Sequence, residues 1–171
     1  SKDCKPQNWD HQPKQVIKTS NFYKLFFSDL LALMPGLLVI GLAKDIGKEF
    51  AGMSYEIAAW VVGVIAIVNA VGRIFSGLYS DKLGALNVYK SMYVITIISL
   101  GVLAFIPLNN VIFMIAILGI AVGYGSFLSL VPTIVGRLFG GQFFSSNYPL
   151  VFLAYGFAAW IGPLIVRLNT D

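Results

Sequence analysis

The sequence predicts an all-α protein, a polytopic transmembrane helix bundle of about five spans. Three observations carry this. Of 171 residues, 57% are hydrophobic and only 12% charged, with a mean hydropathy of +0.79. A soluble domain carries roughly 25% charged residues, so these charges are too few to cover a water-facing surface. Second, charge is absent from long stretches: 46 residues between Lys90 and Arg137, 29 between Arg137 and Arg167, and 16 between Glu56 and Arg73. Third, the remaining Lys and Arg fall unequally between the loops. A spanning β-barrel would alternate apolar and polar residues in segments of about ten, and the sequence has no such segments.

The elements follow in order. Residues 1–21 are polar, with Lys2, Asp3, Lys5, Asp10, Lys14 and Lys18 among Pro6 and Pro13. They read as a loop or tail, lack the apolar core of a signal peptide, and suggest a piece of a longer chain. The first span is expected at 24–43 and the second at 57–79, just after Glu56. The 46-residue uncharged run is too long for one helix of about 20 apolar residues. It divides at Pro107-Leu108-Asn109-Asn110 into spans at 90–107 and 111–136. The last of these is long enough to tilt or to project from the bilayer. The fifth span, 149–167, follows a polar lead-in.

Cytoplasmic loops are enriched in Lys and Arg. With residues 1–23 cytoplasmic, that side holds Lys2, Lys5, Lys14, Lys18, Lys24, Lys82, Lys90 and Arg137, and the other holds Lys44, Lys48 and Arg167. Eight against three sets the orientation of a multi-pass protein expected in the plasma (inner) membrane. The net charge of +4 then reflects insertion, not nucleic-acid binding.

The residue inventory narrows function. Cys4 is the one cysteine and His11 the one histidine, so the chain supports no internal disulfide, no Cys/His metal cluster and no histidine dyad. A serine–lysine mechanism needs a lysine within a span, and each lysine lies at a border or outside. Neither an enzyme nor a cofactor is predicted.

Two charges do fall inside spans. Arg73 lies eight residues before Asp81, about 12 Å deeper along a helix, near the middle of a core about 30 Å thick. An arginine there is costly and must face a partner, a wet cavity or an anion. Its planar fork fits a carboxylate, and Asn69 lies one turn earlier on the same face. Arg73 is thus either a carboxylate anchor or a structural arginine paired with an acid. Asp29 lies five residues beyond Lys24. It reads as a coupling carboxylate, a partner of Arg73, or a residue of a wet vestibule.

Gly72-Arg73-Ile74-Phe75-Ser76-Gly77-Leu78-Tyr79-Ser80-Asp81-Lys82-Leu83-Gly84 runs from the second span into a short loop. Gly72, Ser76 and Gly77 are small enough for close helix approach. Asp81 can face a helix amino-terminus, and Gly84 suits a tight turn. This segment resembles the Gly-x-x-x-Asp-Arg/Lys-x-Gly signature of the major facilitator superfamily (MFS) of secondary transporters. Downstream, Gly123-Tyr124-Gly125-Ser126-Phe127, Pro132, Phe139-Gly140, Asn147-Tyr148, Ala154-Tyr155-Gly156 and Gly162-Pro163 are similar to the carboxyl half of the oxalate:formate antiporter family, a branch related to monocarboxylate transporters. So are Pro35–Gly41 and Asn69-x-x-Gly72-Arg73.

The resemblance covers about residues 22–167. It implies five spans of a carboxyl-terminal six-helix half, with an amino-terminal six-helix half as the missing partner and residues 1–23 as the link. It implies alternating-access transport of a small carboxylate, with Arg73, Asn69, Tyr124, Leu128 and Tyr155 in the substrate cavity. Gly77, Asp81, Lys82 and Gly84 would stabilise one access state. Two departures stand out: Ala85-Leu86-Asn87 replaces the usual basic residues, and Tyr155 stands where the oxalate type has lysine. One deep cation, Arg73, matches a monocarboxylate better than a dianion. The alternatives are an MFS exporter of another small solute or drug, which would favour a buried acid over a buried arginine, and a non-transporting membrane subunit. Gly119-x-x-x-Gly123 reads as a packing motif.

Overall fold

The computed structural model describes residues 10–170, with side chains to residue 165. Cys4, the charges of the first nine residues and the Arg167 side chain lie outside the described residues. Seven helices follow in order: α1 (Pro13–Val16), α2 (Ser20–Gly41), α3 (Ala43–Glu49), α4 (Tyr55–Leu83), α5 (Ala85–Phe105), α6 (Asn110–Phe139) and α7 (Phe144–Thr170). No strand occurs among the described residues. Five helices are long and apolar enough to cross a membrane: α2, α4, α5, α6, and α7 as far as Ile165. The expected all-α bundle with five candidate spans is therefore the observed one.

Each long helix begins before its expected span, and for α2, α4 and α6 a side-chain cap explains why. Thr19 Oγ1 accepts the Phe22 N–H at 3.2 Å, Ser54 Oγ accepts that of Ile57 at 3.3 Å, and Asn109 Oδ1 accepts those of Val111 and Ile112 at 3.0 and 2.9 Å. Such side chains satisfy the free N–H groups of a first turn. Loss of charge marks where hydrocarbon begins; the cap marks where helix begins, one turn or less further out. α4 also runs through Asp81 and Lys82 to Leu83, so the loop expected there reduces to Gly84 alone. Gly84 has φ 85°, a left-handed backbone that glycine adopts without steric cost. α5 then begins at once, on the fully buried Ala85.

Two further differences concern the polar segments. Residues 10–21, expected as loop or tail, include α1, and Val16 is fully buried. The His11 N–H donates to the Phe139 carbonyl at 2.9 Å, and Asn147 Nδ2 donates to the His11 carbonyl at 2.9 Å. The buried Val16 side chain and these hydrogen bonds seat the segment on the core. α3 was likewise not foreseen. Lys44 Nζ lies 3.8 Å from the centroid of the Tyr55 ring, a cation–π contact that ties α3 to the start of α4.

α6 is the hub. Half of its apolar window is buried (50%), against 22–28% for the other four spans. Toward its carboxyl end, Phe127, Leu130, Ile134 and Val135 pack with Leu33, Val88, Tyr89 and Val151. Toward its amino end, Phe113, Ile117 and Ala121 pack with Val61, Ile65, Ala43 and Met53. Gly119 and Gly123 leave room for the Ser99 and Thr96 side chains of α5, which makes that pair a packing motif.

Candidate functional site

α4 and α6 meet along a seam of small residues, and the seam positions the site. A Cβ on Gly72 would stand 2.8 Å from the Val122 carbonyl oxygen, and one on Gly125 would strike the Asn69 carbonyl. The Ser126 hydroxyl donates to the Gly72 carbonyl at 3.3 Å, and the Ser76 and Ser129 hydroxyls share a 2.8 Å bond. Close backbone approach and interhelical hydroxyl bonds are the forces that associate helices where lipid removes the hydrophobic drive. They fix Asn69, Gly72 and Ser76 toward α6, and leave Arg73 at the edge of the seam.

Arg73 is exposed on the surface of this bundle. It lies ten residues before the end of α4, about 15 Å along the helix. Its Nε donates to Asn69 Oδ1 at 3.1 Å. This i, i+4 bond holds the base of the guanidinium group by Nε. Tyr124 reaches the same region from α6, with its ring against Gly36 of α2. Its hydroxyl donates to that of Tyr155 on α7 at a long 3.5 Å, and Arg73 lies within its electrostatic range. Arg73, Asn69, Tyr124 and Tyr155 therefore converge from three helices. Leu128, one turn beyond Tyr124, packs against the main core.

A feature the sequence reading missed continues along α7. Phe144, Tyr148, Phe152 and Tyr155 form a ladder with ring centroids 5.5, 5.3 and 5.2 Å apart. Their spacing of four, four and three residues was the available signal. The ladder leads from the start of α7 to Tyr155.

Asp29 stands apart from this group. It is 1% exposed, and neither carboxylate oxygen has a hydrogen-bond partner among the described residues. Tyr89 and Tyr93 of α5 and Tyr148 of α7 lie within its electrostatic range, whereas Arg73 is bonded to Asn69. Within this chain Asp29 is therefore a buried carboxylate of α2 beside tyrosines of α5 and α7, and it makes no pair with Arg73.

Of the expected gating residues, Asp81 and Lys82 are exposed on the last turn of α4. A Cβ on Gly77 would meet nothing within 4 Å, so the close approach expected at Gly77 does not occur within this chain. Gly84 makes the turn already described. Among the described residues, no three of His, Cys, Asp or Glu come together as metal ligands would.

No protein-family model matches the chain. It is 35% identical over 161 residues to a protein described as the uncharacterized MFS-type transporter YhjX of Escherichia coli (strain K12). The chain is a partial homologue of an MFS-type transporter. The match covers 84% of this chain and 40% of the relative, so the chain spans well under half the length of the protein it resembles. The likeness supports MFS membership, and the relative is described as a transporter. With five apolar helices, it also supports an integral multi-pass membrane protein.

Proposed function

We propose that this chain forms part of a secondary transporter that carries a small organic anion, a monocarboxylate, by alternating access. The observation that supports this reading most directly is Arg73: a fixed positive charge deep along a membrane helix, held through Nε by Asn69 and within electrostatic range of Tyr124, whose hydroxyl reaches that of Tyr155. A guanidinium fork binds a carboxylate through two parallel hydrogen bonds, and phenol hydroxyls can donate to the same oxygens. Leu128 contributes an apolar wall.

One cation favours a monoanion, because a second buried charge without compensation is costly. Tyr155 offers a hydrogen bond where a lysine would offer charge. In this reading Asp29 is the coupling carboxylate. Gly77, Asp81 and Lys82 present a face that the remainder of the full-length protein covers in one access state, and Gly84 fixes the angle between α4 and α5.

The test is uptake of labelled formate, pyruvate, lactate and oxalate by the full-length protein in proteoliposomes. Monocarboxylate uptake is expected to exceed that of oxalate. Arg73→Ala should abolish it, and Arg73→Lys should restore only a small part because a point charge lacks the fork. Tyr155→Lys should shift preference toward oxalate. Normal anion binding by Arg73→Ala would overturn the assignment.

A further inference from the structure

A groove at the bundle end that carries Lys24 and Lys90 is not used by the transport reading. It lies between α2 and α5, with a volume of about 480 Å³. Both helices pack on α6, yet they meet each other only sparsely. One rung closes the gap: the Tyr93 hydroxyl donates to the Ser28 carbonyl. Lys24 is four residues before Ser28 and Lys90 three before Tyr93, so each lysine stands on the same helix face about one turn nearer the helix start. The opening is lined by both lysines with Asn21 between apolar walls that include Leu86 and Leu138.

Among the described residues, no Asp or Glu lines this groove. Asp29, the nearest acid on α2, is buried in the core. Two cationic tips over apolar walls, at the interfacial end of two membrane helices, are complementary to one kind of molecule: a phosphate headgroup whose chains continue into hydrocarbon. Lysine stems lie along apolar surface while their ammonium groups reach the headgroup level. Basic pockets between membrane helices bind anionic headgroups. A free inorganic anion would satisfy the lysines but leave the leucine walls bare.

We propose that this groove is a binding site for an anionic phospholipid, with Lys24 and Lys90 on its phosphate and its acyl chains along Leu86 and Leu138. The proposal does not depend on what the protein transports. The experiment is native mass spectrometry of the full-length protein in mild detergent, titrated with phosphatidylglycerol or phosphatidylethanolamine.

Phosphatidylglycerol should be retained preferentially. Lys24→Gln/Lys90→Gln should weaken its retention about tenfold or more, since each lysine near a headgroup contributes roughly 1 kcal/mol. Lys44→Gln/Lys48→Gln, the same charge change at the other end of the bundle, should have no effect. Millimolar inorganic phosphate should not displace the lipid. Four results would overturn the site: equal retention of both lipids, unchanged retention in the Lys24/Lys90 variant, displacement by phosphate, or a photo-crosslinker at Leu86 that labels another segment of the protein instead of lipid.

Discussion

Arg73 and Asp29 are both charges on membrane helices, and the fold treats them oppositely. Arg73 is turned out of the bundle, with Asn69 as its intrachain partner at 3.1 Å. Asp29 is turned in, with no hydrogen-bond partner among the described residues and three tyrosines around it. A buried carboxylate without a partner is costly, and a fold that keeps one forgoes stability. Asp29→Asn preserves shape and removes charge. It should leave Tm in detergent unchanged or raise it by a few degrees, on the scale of about 1 kcal/mol. If Asp29 couples transport to a cation gradient, the same variant should still exchange substrate across proteoliposomes but fail to accumulate it. A clear drop in Tm would mean that the carboxylate has a stabilising partner. Retained accumulation would remove Asp29 from the coupling role.

At the scale of the element, α4 has two glycine faces with different neighbours. Gly72 lies on the α6 seam, where a Cβ would press on the Val122 carbonyl, while Gly77 faces open space in this chain. Gly72→Val should overpack the seam and destabilise by about 1–3 kcal/mol, read as a lower Tm and a lower yield. It should also displace Arg73 and reduce transport. Gly77→Val should leave the Tm of the bundle unchanged. If Gly77, Asp81 and Lys82 meet the rest of the full-length protein in one access state, Gly77→Val should nevertheless slow transport. Transport by Gly77→Val at the unaltered rate would show that this face of α4 does not gate.

For the whole molecule, orientation is the property to measure. α4 and α6 have 29 and 30 residues, about 45 Å each at 1.5 Å per residue. They exceed a hydrocarbon core of about 30 Å, so their ends reach water. Lys82 and Arg137 sit at those ends, on the same side as Lys24 and Lys90, and Lys48 of α3 sits opposite. The excess of Lys and Arg predicts a cytoplasmic position for the first group. With Cys4 replaced by serine, single cysteines at 48, 82 and 137 can be labelled in intact cells by an impermeant reagent. Position 48 should label, while 82 and 137 should label only after permeabilisation. The opposite pattern would invert the protein and turn the Lys24–Lys90 groove toward the outer leaflet.

Sequence by itself determined the membrane-crossing class, the number of candidate spans and the shared helix face of Asn69 and Arg73. Each is a local property: absence of charge over a helix length, or an i, i+4 spacing on one helix face. The Thr19, Ser54 and Asn109 caps were equally local, and the helix starts they set could have been read from them. Only tertiary structure decided which way each charge faces. Burial of Asp29 depends on tyrosines brought by α5 and α7, and the convergence of Tyr124 with Tyr155 depends on how α7 lies against α2 and α6. The gap between α2 and α5 exists because both lean on α6 and little on each other. Hydrophobicity drives a helix into the bilayer whichever face it presents. The facing is set by where small residues and hydroxyls allow backbones to touch, and that is a property of pairs of helices far apart in sequence.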